Sequence, residues 1–169
     1  NVYIVSNTTS SNFSGSINTF SGGTHDAVVV KLAADLLSVL WSRYLGGSMA
    51  DAGYSIKVDK LSNVFVAGGT NSTDFPGING YKAIKANDID GWIAHLSADG
   101  QNIFNATYVG TGSYDQVYFL DINTDEEVYV FGQTKGSYPV QGAVFFQPGG
   151  GHFIHKLSND LKTSIMSTI

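Results

Sequence analysis

The stretch NVFVAGGTNSTDFPG at residues 63–77 decides the fold, because two other stretches of the chain have the same order of features. They are NVYIVSNTTSSNFSG at residues 1–15 and EVYVFGQTKGSYP at residues 127–139. Each stretch begins with large and small apolar residues, continues with small polar residues and Gly, and then reaches an aromatic residue. The three starting positions lie 62 and then 64 residues apart, which indicates an internal repeat.

Two further phrases recur at nearly the same spacing. DAVVVKL at residues 26–32 returns 64 residues later as DGWIAHL, and a further 61 residues later as GHFIHKL. YLGGSMADAGYSIKV from Tyr44 matches YVGTGSYDQVYFLDI from Tyr108, with Asp51 and Asp115 at corresponding positions. A period near 64 residues therefore divides the chain into about two and two-thirds copies.

Each copy contains four phrases typical of strands, which in the middle copy are YSIKVD, NVFVAG, DGWIAHL and IFNATYVG. Both faces of these strands are apolar: in the second phrase, Val64 and Val66 occupy one face, while Phe65 and Ala67 occupy the other. A strand with two apolar faces needs a neighbour on each side. Radially stacked blades of a β-propeller provide such neighbours, so we predict an all-β fold of four-stranded antiparallel blades.

The repeat predicts one partial β-propeller over residues 1–169. Residues 1–50 form a blade that lacks its first strand, residues 51–114 a complete blade, and residues 115–169 a nearly complete one. Closed propellers have about 4 to 8 blades, so about three blades leave two apolar lateral faces open. The expected partners are the remaining blades of a longer chain or other protein subunits, and closure by copies of the chain is the alternative.

One segment allows a different interpretation. AADLLSVLWSRYL at residues 33–45 has a helical composition and would suit an amphipathic helix. Its counterpart one period later is SADGQNIFNATYV, in which Asp99 and Gly100 form a hairpin-turn signal between strand-like residues. We therefore predict a turn followed by a strand in both copies.

The composition favours the same fold and argues against several functions. The 169 residues are 43% hydrophobic and only 14% charged, and they include 20 glycines, which is typical of short strands joined by tight turns. A net charge of −5 without a basic run argues against a nucleic-acid partner. The chain has no cysteine, so disulfides and thiolate metal sites are excluded. No run of about 18 apolar residues predicts a membrane span.

Together, DAVVVKL, LWSRYLGGSMADAGYSIKVD and NVFVAGGTNSTDFPG resemble the bacterial seven-bladed β-propeller repeat family, abbreviated SBBP. The resemblance spans almost the whole chain, although KGSYPVQG and PGGGHFIHKL depart from it in the last copy. It implies a non-enzymatic segment of an exported or cell-surface bacterial protein, acting as a scaffold or binding module for protein or glycan. It also allows a cargo or subunit of a larger surface or type IX secretion complex.

The long loops predict where binding takes place, because functional residues concentrate on long loops held by a rigid scaffold. Strands of a meander alternate in direction, so the loops between the second and third strands share a rim with the turns between copies. One such loop runs for about twenty residues, from Gly69 to about Asp90. The copy-specific residues of this long-loop rim are the candidate binding residues: Lys82, Lys85, Asp88 and Gln147.

Residues that recur in several copies are expected to be structural. Asp51 and Asp115 are expected to brace the turns between copies through hydrogen bonds from side chain to backbone. Lys31, His95 and Lys156 are expected at the solvent edge of the third strand. The recurring loop aromatics are expected to cover the blade ends: Phe75, Tyr81, Tyr138 and Phe145.

No catalytic residue, metal site or cofactor is predicted. His152 and His155 are three residues apart, and this spacing on a strand places them on opposite faces. Motifs such as G-x-S-x-G, H-E-x-x-H and the P-loop do not occur. Asp88 and Asp90 would suit a glycosidase only at the right separation in space. The alternative function is therefore a secreted polysaccharide-active enzyme whose catalytic residues lie outside this segment.

Overall fold

The computed structural model of the chain describes residues 1–143 and 145–169, and these residues form eleven strands and no helix. The all-β prediction is confirmed. Among the described residues, none belongs to a helix that is long and apolar enough to cross a membrane. In chain order the strands are β1 Val2–Thr8, β2 Asp26–Leu32, β3 Val39–Leu45, β4 Asp51–Val58, β5 Val64–Thr70, β6 Asp90–Leu96, β7 Ile103–Val109, β8 Asp115–Ile122, β9 Val128–Thr134, β10 His152–Leu157 and β11 Ser164–Thr168.

The strands form three separate sheets in which neighbours in the chain are neighbours in the sheet. Blade 1 has the order β1-β2-β3, blade 2 the order β4-β5-β6-β7, and blade 3 the order β8-β9-β10-β11. All strand pairs are antiparallel. These open meanders are the four-stranded blades that the repeat predicts, with the first strand of blade 1 lacking.

The segment from residue 33 to 45 forms a turn and a strand, so the non-helical interpretation is confirmed. The turn closes through a hydrogen bond from the Ala33 amide to the Ser38 carbonyl (3.0 Å). Leu36 within it has a φ of 62°, and the Asp35 side chain accepts a hydrogen bond from the Leu37 amide (3.0 Å). The segment is therefore not a helix, despite its helical composition. Its polar residues form the turn, and β3 is stabilised by cross-strand packing against β2.

The hydrophobic core consists of two layers, one between each pair of neighbouring blades. Trp92 on β6 is fully buried between blades 1 and 2, where its indole Nε1 donates to the Ala52 carbonyl (3.1 Å). Phe65 and Ile93 project from the opposite face of blade 2 and pack against blade 3. Blade 2 therefore has both of its faces covered, which explains why its strands are apolar on both sides.

His95 differs from the expectation that it marks a solvent edge. Its ring is only 6% exposed and stacks on Phe65 with ring centroids 3.9 Å apart. Its Nε2 lies 3.8 Å from the carboxylate of Asp59, which is also buried. Burial lowers the pKa of His95, so the neutral imidazole behaves here as an aromatic core residue.

Candidate functional site

The long loops leave the sheets at one end, which is the long-loop rim of the molecule. The connections between the second and third strands of the blades comprise residues 9–25, 71–89 and 135–151. The turns between blades, residues 46–50 and 110–114, lie at the same end because the strands alternate in direction. The rim is therefore built from two kinds of connection, which differ in length.

The long loops do not simply project from the rim, since each returns along the fourth strand of its blade. In blade 2 the Ala106 amide donates to the Gly77 carbonyl (2.9 Å), and the Asn79 amide donates to the Ala106 carbonyl (3.1 Å). Ser16 forms an equivalent bridge with Ser42 in blade 1. Part of each loop thus covers the outer edge of a sheet, which would otherwise expose unpaired backbone groups.

A tyrosine on the fourth strand holds the start of each long loop in blades 1 and 2. The Tyr108 hydroxyl accepts a hydrogen bond from the Phe75 amide (3.3 Å) and donates one to the Ser72 carbonyl (3.0 Å). Tyr44 has the same role in blade 1, where its partners are Phe13 and Ser10. Sequence reasoning missed this function, although the recurring phrases YLGG and YVGT contain both tyrosines.

The four recurring loop aromatics occupy different environments. Phe75 is 3% exposed and packs on Trp92, and Tyr138 is 6% exposed with its ring stacked on Phe153. Tyr81 is 41% exposed, and Phe145 is 71% exposed. Phe75 and Tyr138 therefore cover blade ends, whereas most of Phe145 faces solvent.

Asp51 lies where blade 1 meets blade 2 at the rim, a place that we call junction 1 and define by Asp26, Gly46 and Asp51. Asp51 is fully buried, and its backbone amide donates to the His25 carbonyl (2.9 Å). Its Oδ2 accepts hydrogen bonds from the Gly47 amide (2.8 Å) and the Ser72 hydroxyl (2.8 Å). Burial raises the pKa of Asp51, and these hydrogen bonds oppose the rise.

Asp115 lies at the equivalent place between blades 2 and 3, junction 2, which we define by Asp90, Gly110 and Asp115. Its backbone amide donates to the Ile89 carbonyl (2.7 Å), as the Asp51 amide does to His25. Its Oδ2 accepts hydrogen bonds from the amide (2.6 Å) and the hydroxyl (2.8 Å) of Thr111. Both junctions are thus closed by one backbone hydrogen bond and a turn braced by a buried carboxylate.

Lys82 is a structural cation of junction 2. Its ammonium lies 2.6 Å from Oδ2 of the fully buried Asp90 and donates to the Gly110 carbonyl (3.1 Å). Burial raises the pKa of Asp90, and the bond to Lys82 opposes this rise. Only 23% of the Lys82 side chain is exposed, so its charge is directed into the protein.

The other three candidate binding residues lie at the surface of two different loops. The Lys85 ammonium donates to the carbonyls of Ala86 and Asp88 within its own loop. Asp88 is exposed, and its Oδ1 accepts a hydrogen bond from the Ile89 amide (2.8 Å). Gln147 is exposed in the next long loop, where its amide donates to the Ile169 carbonyl (2.6 Å).

The rim also contains a cavity of about 230 Å³ between the two junctions. Its wall combines a tyrosine ring with amide, hydroxyl and imidazole groups, a set that can stack on and hydrogen-bond to a polar ligand. The side chains that supply these groups are His25, Tyr54, Thr70, Asn71 and Gln116. Sequence reasoning missed this cavity because its residues come from five separate segments of the chain.

The described residues contain no group of three or more His, Asp or Glu side chains placed to share a metal ion. Asp88 Oδ1 accepts a hydrogen bond from a backbone amide, and Asp90 Oδ2 contacts Lys82, whereas Asp90 Oδ1 is buried without a partner among the described residues. The chemistry that the rim supports most directly is recognition through hydrogen bonds and aromatic contact.

Comparison with known proteins gives one result for the family. Residues 40–76 match a family model described as a beta-propeller repeat, abbreviated SBBP. The matched segment runs from β3 through β4 and β5 into the following long loop. It includes the turn of junction 1 and residues 63–76 of the phrase NVFVAGGTNSTDFPG, so the resemblance identified from the sequence is confirmed over residues 40–76. A comparison with curated proteins found no match.

Proposed function

We propose that this chain, which carries the SBBP β-propeller repeat, is a repeat scaffold whose two open lateral faces bind further blades of the same kind. These blades belong to a longer polypeptide or to other protein subunits. The observation that carries the proposal is the exposure of apolar side chains at repeat positions that are buried wherever a neighbouring blade is present.

The open face of blade 1 illustrates this difference. Ile4 on β1 is 42% exposed. The corresponding residues of the other two blades, Val66 and Val130, are 0% and 1% exposed, because another blade packs against them. The exposure of Ile4 thus reflects the missing neighbour and not a different kind of strand.

The open face of blade 3 shows the same effect from the other side. Ile154 and Phe131 are 45% and 37% exposed, whereas the corresponding residues of blade 2, Ile93 and Ala67, are 0% exposed. A groove of about 470 Å³ extends from Ser55 and Lys57 of blade 2 onto this face, and Phe119 on its wall is 65% exposed. Burying a side chain of this size is worth about 2 kcal/mol, so a blade that covers this face is strongly favoured.

Self-association tests the proposal. The open face of blade 3 corresponds to the face of blade 2 that packs against blade 3, so it should pack against the open face of blade 1 in a second copy of the chain. In sedimentation experiments we expect the mass to rise above 18.0 kDa with concentration. Ile154→Asp should keep the chain monomeric, while the matched change Leu37→Asp, at an 86% exposed turn residue, should have no effect. A wild-type chain that stays monomeric and gains no stability from a fused additional blade would contradict the proposal.

We further propose that the long-loop rim binds protein or glycan outside the bacterial cell. The support is the polar and aromatic cavity together with the surface positions of Lys85, Asp88 and Gln147. Asn71 is exposed, so Asn71→Ala should weaken retention of oligosaccharides on a glycan array without lowering the melting temperature. Labelling of the chain on intact cells by a membrane-impermeant reagent tests its location, and labelling only after lysis would contradict an extracellular role.

A further inference from the structure

The first strand of each four-stranded blade lies across the preceding sheet and makes the main contacts between neighbouring blades. β4 of blade 2 packs on β1 and β2 of blade 1, and β8 of blade 3 packs on β4, β5 and β6 of blade 2. The two strands begin differently, with Asp-Ala-Gly at residues 51–53 and Asp-Gln-Val at residues 115–117. Their second and third residues therefore show how a blade is fitted to the face that receives it.

At the interface of blades 1 and 2, a glycine of the incoming strand meets side chains of the receiving face. A Cβ atom added to Gly53 would collide with Val5 and would lie 3.1 Å from the Ala27 Cβ. The Gly53 amide donates a hydrogen bond to Oδ1 of Asn7 (2.8 Å). We call these three residues of blade 1, and their counterparts in the other blades, the receiving residues: Val5, Asn7 and Ala27.

At the interface of blades 2 and 3, the sizes are reversed. The receiving residues of blade 2 are the smaller Ala67, Gly69 and Gly91. Larger side chains of β8 fill the space beside them. A Cβ atom added to Gly91 would lie 2.7 Å from Val117 Cγ2, and one added to Gly69 would lie 3.0 Å from Gln116 Nε2. Because protein interiors are closely packed, a large residue on one blade requires a small one on the other.

The receiving residues of blade 3, on its open face, are the largest of the three sets: Phe131, Gln133 and His152. The rings of Phe131 and His152 stack with their centroids 5.6 Å apart and their planes inclined by only 5°. Phe119 lies 6.1 Å from Phe131, at the position that Ser55 occupies in blade 2. This aromatic row fills the space in which a side chain of the incoming strand would lie.

We propose that the open face of blade 3 binds a blade whose first strand begins with Asp, a small residue and Gly, as β4 does, and not one that begins as β8 does. This inference rests on the proposed function, because it states which blades that face selects. Glycine lets the incoming backbone approach the rings of Phe131 and His152, which a valine side chain would meet. Gln133 also supplies an amide side chain where Asn7 accepts the hydrogen bond of the Gly53 amide. Selection thus follows from matched sizes on the two sides.

The test appends a fourth blade to the intact chain. Blade 1 has no first strand, so association of two copies leaves the selected positions unfilled and a complete blade is needed. The appended blade is a copy of residues 45–109, which comprise blade 2 and the turn before it. We expect it to slow amide hydrogen exchange in β9 and β10 at least about tenfold relative to the chain alone. The same appended blade carrying Ala52→Gln and Gly53→Val should leave this exchange unchanged.

A second set of chains shows whether the altered blade fails because of the face or because of its own folding. In this set, Phe131→Ala, Gln133→Gly and His152→Gly reproduce the receiving residues of blade 2 on blade 3. The preference should then reverse: the altered blade should slow exchange in β9 and β10 by a larger factor than the unaltered one. Each chain is compared with the same variant without an appended blade.

The outcomes separate this inference from the proposed function. Equal protection of the wild-type face by both appended blades would overturn the inference but would agree with lateral binding of blades. Protection by neither blade would contradict both. A preference for the unaltered blade that persists after the receiving residues are replaced would also overturn the inference, since the altered blade would then simply fold poorly.

Discussion

Junctions 1 and 2 have the same frame and differ in how their charges are compensated. In both, an amide at the start of a blade donates to the carbonyl before the third strand of the preceding blade, over 2.9 and 2.7 Å. In both, the turn between blades is braced by a buried aspartate. Only junction 2 has a lysine from the long loop against its second aspartate.

The difference shows which features of a repeat are set by the fold and which by a single copy. Backbone hydrogen bonds and the bracing aspartate recur because every pair of blades must meet in the same way. The compensating charge comes from a loop whose sequence varies between copies, with Ser21 in one and Lys82 in the next. The buried carboxylates recur in both junctions, so it is their compensation by a cation that differs between copies.

Removal of the lysine from junction 2 should have the largest effect. Lys82→Met leaves the fully buried Asp90 carboxylate without its cation, which should lower the free energy of unfolding by about 3 kcal/mol in urea denaturation. The double variant Lys82→Met with Asp90→Asn removes both charges and should recover most of this loss. Equal stability of the single and double variants would show that the pair is not coupled.

The pH dependence of junction 1 should be the next largest effect. Burial raises the pKa of Asp26 to about 6, from an ordinary value of 3.8. The group therefore imposes no penalty on the folded state below about pH 4, and a growing penalty as the pH rises through 6. The stability of Asp26→Asn relative to wild type should increase by about 2 kcal/mol between pH 4 and pH 7.

The stability of Asp26→Asn must be compared with that of wild type at each pH, because the titration of His155 changes stability in the opposite direction. Burial lowers the pKa of His155 to about 4, so its contribution to stability is present above about pH 6.5 and is lost as the pH falls towards 4. This term is common to wild type and Asp26→Asn and cancels between them. A difference that stays constant from pH 4 to pH 7 would contradict the raised pKa of Asp26.

A hydroxyl within junction 1 provides a smaller effect. Ser72 is fully buried, donates to Asp51 Oδ2 (2.8 Å) and accepts a hydrogen bond from the Met49 amide (2.9 Å). Ser72→Ala should lower the free energy of unfolding by about 1.5 kcal/mol, because the Met49 amide and the buried Asp51 carboxylate each lose a partner. Ser113→Ala, in the turn of junction 2, is the control and should change stability by less than about 0.5 kcal/mol.

An exposed ion pair between blades 2 and 3 should have the smallest effect. Lys57 and Asp121 are 3.2 Å apart, but their side chains are 45% and 69% exposed. Lys57→Met should therefore change the free energy of unfolding by less than about 0.5 kcal/mol, and added salt should remove even this difference. A loss as large as that of Lys82→Met would mean that burial does not decide which charges matter.

The strands were predictable from the sequence because their pattern depends on packing that every blade shares. Val64, Phe65 and their counterparts alternate between two covered faces, and this leaves an apolar signal that repeats with the blades. The turn before β3 was also predictable, although AADLL has a helical composition, because its counterpart contains Asp99 and Gly100. Comparison between the copies therefore predicted this turn, whereas local propensity alone favoured a helix.

The rim was less predictable because its chemistry depends on the direction in which individual loop side chains point. Lys82 has the composition of an exposed loop residue, and only the structure shows its ammonium directed towards the buried Asp90. His95 likewise has the sequence of a polar edge residue and the environment of a core aromatic. Both contacts lie within one copy of the repeat, between Lys82 and Asp90 and between His95 and Phe65, but neither leaves a recognisable pattern in the sequence.

Blade 2 is covered on both faces, whereas blades 1 and 3 are each covered on one face. This difference also determines the order in which the blades unfold. In a linear array each unit is stabilised by its neighbours, so a unit with two neighbours opens less often than a unit with one. Unfolding should therefore begin at the outer sheets and reach β5 and β6 last, as the order of amide hydrogen exchange would record. A blade that bound at either end would turn an outer unit into an inner one, and would thereby raise the resistance of that unit to proteolysis.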